Sequence, residues 1–122
     1  DLYLGYLLDF LKPDSQIGAA MPAFTRALGT EIPETLKPFW ESDFCCFHSP
    51  EWWRTHWAKT GKVNVDHADL IEDSWHDWLQ FNNFIAPFVE GWWIDDVVKT
   101  RSLLEADQGE LIAFSRIVAT KT

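Results

Sequence analysis

At 122 residues, 47% of them hydrophobic and 24% charged, the chain has the composition of one globular domain spanning 1–122 and too little length for two. Its formal charge of −9, from 19 acidic against 10 basic residues with no Lys/Arg cluster, would repel a phosphate backbone, which excludes nucleic acid as a partner. No run of about 18 apolar residues is present and the N-terminus lacks the basic and apolar regions of a secretory signal, so no membrane span is expected and the expected location is cytoplasmic.

Trp, Phe and Tyr make up 16% of the residues, which calls for an aromatic core or an aromatic-lined pocket. The two cysteines, Cys45 and Cys46, are adjacent and cannot staple distant segments, in keeping with a reducing compartment. The sequence opens on Asp1 and holds its one methionine, Met21, inside an apolar run, as a piece cut from a longer protein would.

Leu4, Leu7, Leu8 and Leu11 recur at helical spacing and predict a helix over 2–11, broken by Lys12-Pro13-Asp14-Ser15. Gln16 to Met21 is a short, mostly apolar run that predicts a strand covered on both faces, as in a parallel sheet, with Pro22 ending it. From there to about residue 48, Gly29, Pro33 and Pro38 predict loop with short helical turns, one of them at Thr35-Leu36-Lys37.

Ser49-Pro50-Glu51 combines a capping hydroxyl, a proline preset for the first helical position and an acid at the positive helix end. Gly61 is the matching stop. In the helix between them Trp53 and Trp57 share one face, and Trp52 and His56 a neighbouring one. Lys62 to Leu70 begins with alternation, Val63 and Val65 against Asn64 and Asp66, and predicts a half-exposed strand.

Asp73 is the expected cap of a helix that carries Trp75, Trp78, Leu79 and Ile85 and ends near Pro87. A second helix runs through Trp93, Val97, Val98, Arg101 and Leu104 to a turn at Asp107-Gln108-Gly109. Its acids Asp95, Asp96, Glu105 and Asp107 are expected to form a solvated face. Glu110 to Thr120 predicts a long strand with Leu111, Ala113, Ile117 and Ala119 on one face and Ile112, Phe114 and Val118 on the other, both largely covered. This order of helices and strands points to an α/β layer.

Three stretches carry a family resemblance. The first is Leu2-Tyr3-Leu4 through Leu11-Lys12-Pro13, followed by Gln16-Ile17-Gly18; the second is Phe39-Trp40-Glu41-Ser42-Asp43-Phe44 with Phe47-His48-Ser49-Pro50-Glu51-Trp52-Trp53-Arg54; the third is Glu110 through Ala119. Together they resemble the C-terminal half of a class I, Rossmann-like S-adenosylmethionine-dependent methyltransferase of the small-molecule type. They correspond to its fourth helix and fifth strand, to a segment before its last helix and sixth strand, and to its seventh strand. Asp14-Ser15 stand where the family's Lys-Pro-Gly-Gly turn has glycines. The family sheet is ordered three, two, one, four, five, seven, six. The resemblance therefore implies a partial Rossmann-like sheet of about three strands, the last antiparallel, with covering helices.

The family's first half supplies a Gly-rich turn and an acidic residue that hold the cofactor. The glycines here, Gly5, Gly18, Gly29, Gly61, Gly91 and Gly109, are too far apart to form such a turn. The resemblance thus implies S-adenosylmethionine and a small-molecule methyl acceptor for the intact parent, with no cofactor-binding residue and no activity expected of these 122 residues alone.

In the resembled family the segment after strand five covers the substrate, which makes Phe39, Trp40, Phe44, His48, Trp52 and Trp53 the candidate substrate-binding residues, and His48 or Glu51 the candidate base. Against this stands the plainer reading that the aromatics fill a core and Glu51 serves the helix dipole.

A metal site at Cys45, Cys46 and His48 is disfavoured, because zinc ligands come in separated pairs, and no metal is expected. Cys45 as a nucleophile beside His48 lacks an orienting group or an oxyanion loop, so a structural cysteine is the expectation. His67 and Asp69 share one side of their strand, where a solvated edge explains them equally well.

A strand over Ile17 to Met21 without its neighbour predicts a homodimer or swapped assembly through that edge. The alternative function is a stand-alone small-ligand-binding or oligomerisation module with a Trp-rich pocket. Ligand binding of that kind would need a closed sheet or cup.

Overall fold

The computed structural model describes residues 2–122. In chain order the elements are α1 (Leu2–Asp9), β1 (Gln16–Phe24), α2 (Pro50–Ala58), β2 (Val63–Leu70), α3 (Ser74–Ile85), α4 (Trp92–Asp107) and β3 (Ile112–Lys121). Short 3₁₀ turns occupy Lys37–Phe39, Ser42–Cys46 and Ala86–Phe88. The strands form one sheet in the order β1-β3-β2, with β3 antiparallel to both neighbours. β1 and β2 therefore run in the same direction on either side of a reversed central strand. The architecture is α/β, as the sequence pattern predicts.

Helices cover both sides of β3, but unequally. On one face Leu4, Leu8 and Trp57 from α1 and α2 close over Val63, Ile117 and Ala119, with Ile17, Met21 and Trp53 packed at the margin. On the other, Leu103 and Leu104 of α4 meet Phe24, Leu36, Phe44, Leu111 and Ile112. Trp78 of α3 sets its ring edge against Phe114 at 5.0 Å.

The helix predicted at Ser49 forms for the reasons read in the sequence. Ser49 Oγ accepts the Trp52 amide at 3.3 Å, Pro50 takes the first turn, and Gly61 adopts φ +66° beyond the end. The predicted turn near Thr35 is closed by the Leu36 and Lys37 amides, which both donate to the Pro33 carbonyl.

Several expectations are corrected. β1 does not stop at Pro22 and is not covered on both faces. It continues to Phe24, with Pro22 opposite Phe114, and leaves Gln16, Gly18 and Ala20 exposed. A proline that lacks an N–H is tolerated here because β1 is an edge strand, paired to β3 alone. Helix α1 ends at Asp9, short of residue 11, and Leu7 is largely exposed, so Leu4 and Leu8 form the buried stripe.

The alternation of β2 is shifted by a bulge between Val65 and His67, after which Ala68 faces the core. Asp73 stands at the start of α3 with φ 52°, but its side chain caps nothing; its carbonyl accepts the His76 and Asp77 amides. On β3 the face carrying Ala113, Ser115, Ile117 and Ala119 is buried throughout. The opposite face is covered at Ile112 and opens at Arg116.

Asp107 is the largest departure from the expected solvated face. It is buried, and its carboxylate accepts the Leu111 amide at 3.0 Å and the Ile112 amide at 2.8 Å. The acid thereby fixes the turn that carries the chain from α4 into β3.

Candidate functional site

The segment between β1 and α2 leaves the sheet at Thr25, whose amide donates to the Leu111 carbonyl at 2.9 Å and whose hydroxyl donates to the Glu110 carbonyl at 2.7 Å. It is tied down again at Leu36, which is fully buried between Phe24 and the α4 leucines. Between these anchors and Ser49 the aromatic side chains order one another. Phe24 stacks on Trp40 at 6.1 Å, Trp40 meets Phe44 edge-on at 5.3 Å, and Phe44 stacks on Phe47 at 5.0 Å.

A cavity of 330 Å³ opens over this cluster. Of the residues singled out in the sequence, Trp40, Phe44, His48 and Trp52 line it together. Phe39 lies on a second cleft of 480 Å³ beneath α3 and α4, and Phe44 belongs to the walls of both. Trp53 is turned away into the core between α1, α2 and the sheet. Glu51 lines neither cavity; it is exposed in the first turn of α2, where a carboxylate complements the helix dipole. Sequence reasoning missed Arg26 and Glu31, which sit on the cavity wall in the loop after β1. Their position just past a strand end, in a glycine-bearing loop, was the available signal.

His48 is the best-defined polar group of the cavity. Its ring stacks on Trp52 with centroids 3.6 Å apart, and Trp52 stacks in turn on His56 at 4.5 Å, so one indole lies between two imidazoles. Partial burial, reinforced by His56, lowers the pKa of His48 below 6.5. Burial also lowers that of His56, helped by Lys59. The neutral imidazole is thus favoured at the cavity mouth, where a ring nitrogen can accept a proton from a hydroxyl or amine.

The cysteines offer no comparable chemistry. Cys45 and Cys46 are exposed with their sulfurs 3.7 Å apart, and the hydrogen bond with Cys45 raises the pKa of Cys46 and disfavours its thiolate. Among the described residues no group of three or more His, Cys, Asp or Glu side chains is placed to hold a metal ion. Asp69 is engaged by Arg116 at 2.9 Å, a cross-strand ion pair on the solvated side of β2 and β3 whose hydrogen bond lowers the Asp69 pKa. No described helix is long and apolar enough to cross a membrane.

Comparison of the chain with protein-family models, curated proteins and solved structures returned no match.

Proposed function

We propose that this chain is the substrate-side portion of a Rossmann-like S-adenosylmethionine-dependent methyltransferase. One observation carries the reading. A reversed strand, β3, lies between two strands of common direction, β1 and β2, and this is the order and sense that strands five, seven and six of that sheet would have.

Two further features support it. The aromatic cavity is built on the segment that follows β1, the place where a substrate cover belongs in such a sheet. The six glycines are dispersed, so the chain has no phosphate- or ribose-cradling turn of its own. In this reading Trp40, Phe44 and Trp52 exclude water from the methyl acceptor, and His48 takes the proton released on methylation. The acceptor is a small molecule, and the cofactor is held by structure outside these residues.

Calorimetric titration of the 122-residue chain with S-adenosylmethionine tests the assignment. No saturable heat is expected, and tight binding would overturn it.

A second reading, an oligomerisation module, draws on the edge position of β1, where the backbone over Ile17 to Met21 has β3 on one side only. It combines with the first, since the same edge is where a neighbouring strand would lie. The stand-alone ligand-binding cup has less support, because the three strands form an open sheet and enclose no cup.

A further inference from the structure

We infer that the cleft between the 3₁₀ segment and the α3–α4 pair is a binding site for an organic ammonium ion, a compact cation with an alkylated nitrogen. This goes beyond the methyltransferase reading and does not depend on it, because it requires neither a cofactor nor a reaction.

The cleft is large enough for such an ion, at 480 Å³, and its walls join two kinds of group. Trp78, Phe81, Trp92 and Trp93 give it aromatic surface, and Glu41, Asp43 and Asp96 give it carboxylates. Trp92 and Trp93 stand at 88° with centroids 5.6 Å apart, which makes an aromatic corner. Three of these rings, Phe81, Trp92 and Trp93, are well exposed in the free chain. A neutral apolar ligand would be served by the rings alone. The carboxylates add Coulomb attraction for a cation that a neutral ligand does not receive.

The charge balance within the cleft points the same way. Lys99 is its one lysine or arginine and is paired with Glu41 across the gap between α4 and the 3₁₀ segment. Asp43 and Asp96 remain uncompensated by any ion pair among the described residues. Indole faces attract a cation through their quadrupole, and an alkylated ammonium is only weakly hydrated, so it gives up its water at small cost on entering an aromatic corner. The chain's overall charge of −9 favours approach of the same class of ligand. The neighbouring 330 Å³ cavity differs in having one cation, Arg26, and one carboxylate, Glu31, on its wall, which leaves no such preference.

The test is ¹⁵N-edited NMR of the indole signals of the whole chain, titrated with choline chloride and, separately, with its uncharged carbon isostere 3,3-dimethylbutan-1-ol. Choline is expected to shift the Trp78, Trp92 and Trp93 signals saturably, with an affinity about tenfold above that of the isostere. Asp43→Asn combined with Asp96→Asn, both at exposed positions, is expected to remove most of that advantage while leaving the backbone spectrum unchanged away from the cleft. Trp93→Ala is expected to weaken choline binding likewise. Equal affinity for the isostere, indifference to the paired Asn substitutions in a folded protein, the absence of any choline-dependent shift, or shifts confined to Trp40 and Trp52 would each overturn the proposal. None of these outcomes is affected by whether S-adenosylmethionine binds.

Discussion

At the scale of single residues, Asp107 and His48 show opposite uses of partial or full burial. Asp107 is buried, and its carboxylate accepts two backbone amides of the turn into β3. Asp107→Ala removes the acceptor and strands both donors, so it is expected to cost about 3 kcal/mol in urea unfolding. His48 is favoured neutral. Because its folded pKa lies below the ordinary 6.5, the unfolded chain binds more protons as the solution is acidified. The stability is fully present above pH 6.5 and is lost as the pH falls through the folded value. The urea midpoint should therefore fall between about pH 7.5 and about pH 5.5, and fall less in His48→Gln. A proton NMR titration of the imidazoles should place His48 below 6.5. Neither role was fully legible beforehand. The position of His48 at an aromatic helix start marked it, whereas Asp107 looked like one more acid on a polar face until β3 folded back and brought two amides to it.

At the scale of elements, the sequence was most informative where local chemistry decides the outcome. Ser49-Pro50 and Gly61 bounded α2 because caps and left-handed stops act within a few residues. It was least informative for β1, whose apolar run looked buried on both faces. Gly18 and Ala20 are small and apolar, yet they are exposed, because nothing described packs over that part of the sheet. Pro22 carried the missing clue: a proline inside a strand marks an edge as readily as an end. The turn into β3 gives this scale its own prediction. Gly109 has φ +77°, and a Cβ placed there would meet Trp75 at 2.3 Å, so the indole would have to leave its place. Gly109→Ala is expected to destabilise by more than the roughly 1–2 kcal/mol of left-handed strain alone, with a shifted Trp75 indole signal. Gly29 has a similar φ and open space around it, so Gly29→Ala should cost only the strain and serves as the control.

At the scale of the whole molecule, the candidate site was legible as a segment but not as a shape. Trp40, Phe44, His48 and Trp52 meet at one cavity as their clustering suggested, while Trp53 and Glu51 point elsewhere because successive helical residues face different directions. The acidic aromatic cleft was not foreseen, since it joins Asp43 to Asp96 across half the chain and no local pattern announces such a meeting. What unites these features is a sheet left open along β1. Leu2, Tyr3 and Tyr6 of α1, with Phe10 just beyond its end, are also exposed to solvent, an apolar stripe with no covering element among the described residues. An unpaired edge strand and an apolar helix face together favour association, and a strand supplied from outside satisfies the free backbone groups of Ile17 to Met21. Sedimentation velocity of the isolated chain over a wide range of concentration tests this openness most directly. A reversible rise from monomer to dimer, lost when Ala20→Pro removes an outward-facing amide from the edge, is the expected result; a chain that stays monomeric at the highest concentration would contradict the account.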